Sequence, residues 1–313
     1  METPKTGDEK TLNYNIWIDG KIIKGSKAKI HLLNQTMHYG AGVFEGIRCY
    51  STQKGPAIFR LKDHMKRLIK SAEYYRIKTF SIQNLVKGAK EVVKQNKFTE
   101  CYIRPLVYLE PGKMGLETTS TPTHTMIAAW PWDTYLGSEN LEKGVSCMIS
   151  KWRRIDSKQL PVQAKACGNY INSIQAKIEA IENGFHEAIM LNMKGNVTEG
   201  PGENVFIVKN NELITPPLTA NVLDGITRKS VMIIAREKGF KVSEKNITLE
   251  QLLNADEAFF TGTAIEVMPI TKINKKKIGG GRVGKVTKQL QESFFNEVHG
   301  KGSHEEWLDY VDK

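Results

Sequence analysis

The chain has 313 residues, 40% hydrophobic and 25% charged, an ordinary composition for a folded protein that is too long for one small core and points to two domains. Its net charge of +11 comes from dispersed lysines and arginines, not from a basic stripe, which argues against nucleic acid as the main partner. No apolar run approaches the roughly 20 residues that span a bilayer, residues 1–10 lack the apolar core of a signal peptide, and Cys49, Cys101, Cys147 and Cys167 form no Cys-x-x-Cys pair, so a cytoplasmic protein with free thiols, no membrane contact and no metal site is expected.

Residues 1–13 read as a tail. In Asn15-Ile16-Trp17-Ile18-Asp19-Gly20-Lys21-Ile22-Ile23, apolar residues alternate on both sides of Asp-Gly, which predicts a hairpin with a two-residue turn. Ile30-His31-Leu32-Leu33 suggests another short strand. Next comes His38-Tyr39-Gly40-Ala41-Gly42-Val43-Phe44-Glu45-Gly46-Ile47-Arg48-Cys49-Tyr50, whose three glycines allow close backbone approach before a strand. Met65, Leu68, Ile69, Ala72 and Tyr75 fall at spacings that predict a helix over 61–75. Ser81 caps a second helix with Ile82, Leu85, Val86, Ala89, Val92 and Val93 on one face. Strands are expected at 101–109 and 125–130, with a loop at 112–116 between them. In the first strand, Tyr102 and Arg104 project from one face, toward solvent or toward a ligand carboxylate; the residues alone leave both readings open. The polar stretch 133–140 is the best linker, dividing a smaller N-terminal domain, 1–136, from a larger one, 137–313.

Beyond the linker, 144–150 reads as a strand and 169–183 as a helix closed by Gly184. Strands follow at 187–192, 203–208 and 213–215. A helix opens at Leu223-Asp224-Gly225-Ile226-Thr227-Arg228 and runs to Gly239. Strands at 257–261 and 267–273, a hairpin tip at Lys275-Lys276-Lys277 and a helix over 286–298 complete an α+β pattern of mixed sheets. Two stretches stand out for chemistry. In Gln163-Ala164-Lys165-Ala166-Cys167-Gly168-Asn169-Tyr170, a lysine sits among small residues, where desolvation favours the neutral amine that can form a Schiff base. Further along comes Val197-Thr198-Glu199-Gly200-Pro201-Gly202-Glu203-Asn204-Val205-Phe206. Taken singly, Lys165 reads as a surface lysine before a helix and Glu199 as a turn carboxylate.

Taken together, these stretches resemble the lysine and glutamate motifs of the class IV, pyridoxal-phosphate-dependent aminotransferases. Phe44-Glu45-Gly46-Ile47-Arg48, His64-Met65-Lys66-Arg67-Leu68 and Tyr102-Ile103-Arg104-Pro105 extend the resemblance to the bacterial branched-chain-amino-acid aminotransferases, over nearly the whole chain after residue 13. The resemblance implies a two-domain fold of type IV, with mixed or antiparallel sheets and the cofactor, pyridoxal 5'-phosphate, at the domain interface. The reaction implied moves the amino group of leucine, isoleucine or valine to 2-oxoglutarate.

The residue roles come from the resemblance, and each residue type suits its role. Lys165 bonds the cofactor and carries the proton from the substrate α-carbon, work for a base of near-neutral pKa. Glu199 keeps the pyridine nitrogen protonated so that the ring serves as an electron sink. Tyr170 hydrogen-bonds the phenolic oxygen. Arg67, Ile226, Thr227 and Thr263 hold the phosphate, the first through its planar fork and the next two at a helix start. Phe44, Trp132, Tyr135 and Tyr170 line an apolar wall. Tyr39 and Leu116 come from a neighbouring subunit, which implies a homo-oligomer, at least a dimer with shared sites and with a hexamer as a further option. Tyr102, Thr263 and Ala264 take the α-carboxylate of the amino-acid or 2-oxo-acid substrate; Arg104, with Tyr39, takes the distal carboxylate of glutamate.

Two enzymes of the same fold, D-amino-acid aminotransferase and aminodeoxychorismate lyase, share the lysine and glutamate motifs. The stretches at 44–48 and 102–105 favour the branched-chain enzyme. A basic binding protein without catalysis is disfavoured by intact Lys165 and Glu199.

Overall fold

Asp19 and Gly20 both take left-handed backbone angles, φ 48° and 90°. A two-residue turn matched to the twist of its strands needs that pair, so the hairpin read from the sequence closes here. The computed structural model describes residues 13–110, 115–132 and 136–312. Its chain forms two units, Met1–Trp132 with Ala164–Gly168 and Val298–Lys313, and Asp133–Gln163 with Asn169–Glu297. The strands run in order β1 Asn15–Ile18, β2 Lys21–Lys24, β3 Val43–Phe44, β4 Ile47–Thr52, β5 Gly55–Phe59, β6 Cys101–Leu109, β7 Thr123–Trp130, β8 Val145–Ile149, β9 Glu187–Ile189, β10 Asn204–Lys209, β11 Glu212–Thr215, β12 Lys241–Glu244, β13 Glu257–Gly262, β14 Glu266–Ile273, β15 Lys276–Lys277 and β16 Leu308–Tyr310. The protein is α+β, as expected.

The first unit is built on an antiparallel sheet in the order β16-β5-β4-β6-β7-β1-β2, with β3 beside β6. The helices Leu61–Tyr74 and Ile82–Gln95 bury their apolar faces in its core, with Met65, Leu68, Leu85 and Val92 fully enclosed. Ser81 caps the second helix through the Asn84 N–H. That helix lies hard against β1: a Cβ on Gly88 would come within 2.9 Å of the Trp17 ring.

The expected strand at Ile30-His31-Leu32-Leu33 does not form. Leu33 N–H donates to His31 Nδ1, His38 Nε2 bonds the Leu32 carbonyl, and Asn34 caps the helix Gln35–Tyr39 through the Met37 N–H. Those local side-chain bonds compete with a strand ladder and turn the segment into a helix entrance. Of the expected linker, 133–135 lies outside the described residues and Ser138–Lys143 is a short helix.

The second unit carries a mixed sheet in the order β12-β11-β10-β13-β14-β8-β9. Its pairs β11–β12, β14–β8 and β8–β9 are parallel; β10–β11, β10–β13 and β13–β14 are antiparallel. Phe206 and Phe259 stack 5.1 Å apart, directly opposite in the β10–β13 ladder. The hairpin tip read at Lys275–Lys277 is present as β15 turning back on β14.

Within the first unit, 164–166 runs extended beside 42–44, bridged at Val43 and Ala166, and then enters the 3-10 turn Cys167–Asn169. Gly168 and Cys167 N–H donate to the carbonyls of Gly40 and Gly42, at 3.0 and 2.8 Å, and Phe44 N–H donates to Lys165 carbonyl at 3.0 Å. Gly40 has φ 70° and a Cβ there would meet Gly168 Cα at 2.9 Å. Gly20 is also left-handed but has open space around it. Gly20→Ala should therefore cost about 1–2 kcal/mol of backbone strain alone, while Gly40→Ala should cost clearly more in urea denaturation because a backbone must move as well.

Candidate active site

Lys165 is fixed at both ends of its own peptide: its N–H donates to Ser71 Oγ at 3.0 Å, and its carbonyl takes the Phe44 N–H. Ala164 and Ala166 on either side are buried in the core. Alternation along the extended segment therefore sends the lysine side chain the other way. Its Nζ stands 5.1 Å from the Phe44 ring centre.

Beside it lies a buried charge cluster. Glu45 is fully enclosed, and its two oxygens accept from Arg67 Nε at 2.6 Å and Arg67 NH2 at 2.9 Å. His64 Nδ1 is 2.7 Å from Glu45 Oε2. Burial opposes the charge on Glu45, but Arg67 and His64 outweigh it and hold the carboxyl well below its ordinary range. His64 is pushed the other way: burial, with Arg67 and Lys165 adding to it, lowers its pKa despite Glu45. It is thus neutral near pH 7 and donates Nδ1–H to the carboxylate. Glu45 thereby orients Arg67, the residue expected to hold a phosphate.

Tyr102 and Arg104 do share one strand face, and that face is not in solvent. Tyr102 is buried, and its hydroxyl occupies the space where Gly46 lacks a side chain; a Cβ on Gly46 would be 1.9 Å from it. The Arg104 guanidinium lies 4.9, 5.4 and 5.8 Å from the rings of Phe44, Tyr102 and Trp130. Its Nε is buried without a hydrogen-bond partner among the described residues. Trp132 packs 4.8 Å from Tyr102. Phe44, Tyr102, Arg104, Trp132 and Lys165 are thus brought together by the first unit. Cys167 faces the same region, and burial raises its thiol pKa against the field of Arg104.

The second unit has its own constellation. Glu199 is buried, 2.8 Å from Arg154 Nε, and accepts from the Leu223 N–H at 2.9 Å and Asn204 Nδ2 at 3.2 Å. Asn204 also donates to the Leu223 carbonyl and lies so close to Gly225 that a Cβ there would be 1.9 Å from its Oδ1. Gly225 in turn starts the helix Ile226–Glu237, with no side chain capping it. Such a start presents backbone N–H groups at Ile226 and Thr227 to an anion. Thr261, paired with Asn204 across the ladder, holds a buried Oγ1 with no hydrogen-bond partner among the described residues. Thr263 and Ala264 form the half-buried turn between β13 and β14. An uncapped helix start, an orphaned hydroxyl and an ionised carboxylate beside them fit a phosphate and a cationic ring nitrogen.

The family model for class IV amino-transferases matches residues 42–273. The chain is 41% identical to the branched-chain-amino-acid aminotransferase of Escherichia coli K12 over 95% of its length and 97% of that protein. It is 44% identical to the Pseudomonas aeruginosa protein of that name, with the same coverage. The chain belongs to the class IV aminotransferases. Its fold superposes on the crystal structure of the E. coli enzyme with TM-score 0.94, covering 96% of this chain and 99% of that one at 41% identity. It superposes on the T.th. branched-chain amino acid aminotransferase with pyridoxamine 5'-phosphate at TM-score 0.93 and 42% identity, over 96% of this chain and 99% of that one.

The remaining expected residues of this class IV aminotransferase fall as follows. Tyr170 begins the helix Tyr170–Glu182 in the second unit, half-buried. Tyr39 and Leu116 are 44% and 84% exposed on the first unit. Tyr135 lies outside the described residues. Sequence reasoning gave no role to Glu45, His64, Arg154 or Asn204. The first two lie inside motifs already singled out, so a buried acid facing Arg67 could have been inferred. Arg154 sits in a run of surface-like charges and carries no signal.

Because Glu45 is a buried ion whose partners stay behind, Glu45→Gln should destabilise by about 3–5 kcal/mol near neutral pH. A group with a depressed folded-state pKa stabilises above its ordinary value, 4.5, and loses that contribution as pH falls below it. Denaturation midpoints of the wild type and Glu45→Gln should therefore converge in acid. A gap independent of pH would show that shape, not charge, is what Glu45 supplies.

Proposed function

We propose that this protein transfers the amino group of L-leucine, L-isoleucine or L-valine to 2-oxoglutarate with pyridoxal 5'-phosphate, giving branched 2-oxo acids and L-glutamate. The observation that carries this reading is Lys165, held by Ser71 and Phe44 beside the stacked Arg104, in a chain 41% and 44% identical over nearly its full length to the branched-chain aminotransferases of E. coli and P. aeruginosa.

When bound, the cofactor supplies a carbonyl for the amine and a ring that takes up electron density from the substrate α-carbon. Lys165 Nζ would hold that carbonyl and would move the proton at the substrate α-carbon. Glu199, its charge fixed by Arg154 and the Leu223 N–H, keeps the ring nitrogen protonated. Tyr170 donates to the ring oxygen. Arg67, the helix start at Ile226 and Thr227, and Thr263 bind the phosphate. Tyr102 and the Thr263-Ala264 turn hold the α-carboxylate. Phe44, Trp132, Tyr135 and Tyr170 exclude water from the side chain. Net charge +11 favours the approach of anionic 2-oxo acids.

The protein works as a homo-oligomer, at least a dimer. Ile30, Leu32, Leu33, Met37 and Tyr39 are exposed along one segment, and Ile171, Ile174, Ile178 and Ile181 form an exposed stripe on one helix. Apolar surface of that extent is best accounted for by a second copy of the chain. Tyr39 and Leu116, exposed to 44% and 84%, are suited to line the neighbour's substrate side. No helix among the described residues is long and apolar enough to cross a membrane, and a cytoplasmic location suits the metabolites involved.

An amino-donor screen with 2-oxoglutarate should show L-leucine, L-isoleucine and L-valine as donors, D-alanine as none, and Lys165→Ala inactive yet folded. Preference for D-alanine, or wild-type turnover in Lys165→Ala, would falsify the reading. Arg104 separates the two half-reactions. Leucine needs no cation at its side chain; glutamate does, and a charged hydrogen bond contributes on the order of 1.5–3 kcal/mol. Arg104→Ala should slow the glutamate half-reaction roughly tenfold to a hundredfold and the leucine half-reaction only a few-fold, read from single-turnover cofactor absorbance. Equal slowing of both would assign Arg104 to the shared α-carboxylate or to structure.

A further inference from the structure

The turn carrying Glu199 is filled by a second carboxyl group, that of Glu203. Gly200 N–H donates to the Glu203 carbonyl at 2.7 Å, and Glu199 and Asn204 pair across the turn. The Glu203 side chain folds back inside: its Oε2 accepts the Gly202 N–H at 3.0 Å and lies 2.5 Å from where a Cβ on Gly200 would sit. The residue whose carboxyl props this turn is therefore paired with Gly200, the chain neighbour of Glu199, and is itself the chain neighbour of Asn204, which bonds Glu199.

Its surroundings hold more acid than base. Glu187, fully buried, faces it from β9, and Cys147 lies opposite Glu187 in the β8–β9 register. Lys177, from the helix Tyr170–Glu182, pairs with Glu187 at 2.8 Å and also binds the His186 carbonyl. Arg154 pairs with Glu199. Among the described residues, no cation pairs with Glu203. An unpaired carboxylate in such a place is costly, and the group keeps its proton instead. Burial, then the charge of Glu187, push its pKa up to about 8, and burial raises Glu187 as well. Burial likewise keeps the Cys147 thiol neutral.

We propose that Glu203, as a neutral carboxylic acid, is the positioning residue for Glu199: it fills the turn without adding charge, and loss of its proton loosens the turn. The part concerning the cofactor rests on the role of Glu199 given above; the part concerning the proton does not.

The sign follows from linkage. The folded state keeps a proton that the unfolded chain releases near 4.5, so stability falls as pH rises from 4.5 to about 8 and levels off beyond. Glu203→Gln copies the neutral acid in shape and in its acceptor. Melting temperatures of the full-chain protein should be alike for wild type and Glu203→Gln near pH 4.5, with the variant gaining steadily to about pH 8 and holding that gain at pH 9. A gap that does not change with pH overturns the proposal. Should Glu203→Gln not fold, Glu187→Gln leaves Lys177 to Glu203, and its melting temperature should fall less between pH 5.5 and 8.5; an unchanged fall overturns it. Pyridoxal phosphate affinity, titrated by absorbance, should be equal in wild type and Glu203→Gln at pH 6 and several-fold better in the variant at pH 9. A melting gap that opens while this affinity ratio stays flat overturns the positioning role. If neither protein binds pyridoxal phosphate at any pH, the assigned reaction fails and the melting curves alone decide the proton.

Discussion

The pairing of 164–168 with 40–44 is the constraint on which the lysine depends. Without it, Lys165 would belong by sequence to the chain that builds the second sheet. Three backbone bonds, from Phe44, Cys167 and Gly168, draw it into the first unit instead. Backbone bonds specify register, and register specifies which side chains face the core. One residue of slip would bury Lys165 in the place of Ala164 or Ala166. Gly40 and Gly168 are therefore as much part of the lysine's chemistry as its neighbours in space, because a side chain on Gly40 would force the two segments apart.

Charge is placed with equal economy in each unit. Glu45 ties Arg67 and His64 together, so the arginine is presented in one orientation with its ion pair already formed. Glu199 does the complementary thing with Arg154: a cation on one side leaves the carboxylate ionised while its other oxygen accepts backbone and amide donors. Both acids are buried and both are satisfied, which is the condition for a buried charge to persist. Glu187 and Glu203 fall short of that condition with one lysine between them, and a retained proton makes up the difference.

What the sequence made legible follows from how local the signal was. The Asp19-Gly20 hairpin, the helices with apolar residues at three- and four-residue spacing and the capped helix at Ser81 rest on interactions a few residues apart, and they stand as read. Ile30-His31-Leu32-Leu33 failed because its alternatives were also local: the His31, His38 and Asn34 side chains outcompete a strand that has no ladder partner. The short edge strands β12 and β16 are polar or few in residues, and long-range pairing alone defines them. For the candidate site, motif resemblance proposed Lys165, Glu199, Arg67 and Arg104. It could not supply Arg154 or the inward fold of Glu203, since both depend on contacts between segments distant in sequence or on a turn's interior.

In the role proposed for it, Arg104 is placed to resolve a conflict that any pocket for both leucine and glutamate must meet. A cation surrounded by water would hold that water against an apolar side chain, and a bare cation in an apolar pocket would be expensive to keep. Guanidinium is more weakly hydrated than ammonium and stacks on aromatic faces. The rings of Phe44, Tyr102 and Trp130 surround it at 4.9–5.8 Å and give it an electrostatic partner that is itself apolar. A lysine at 104 could not lie flat against three rings, and a carboxylate placed to neutralise the cation would repel the anionic substrate proposed to bind there. In the proposed role, arginine on an aromatic bed is thus the arrangement that leaves the wall apolar to one substrate and cationic to the other.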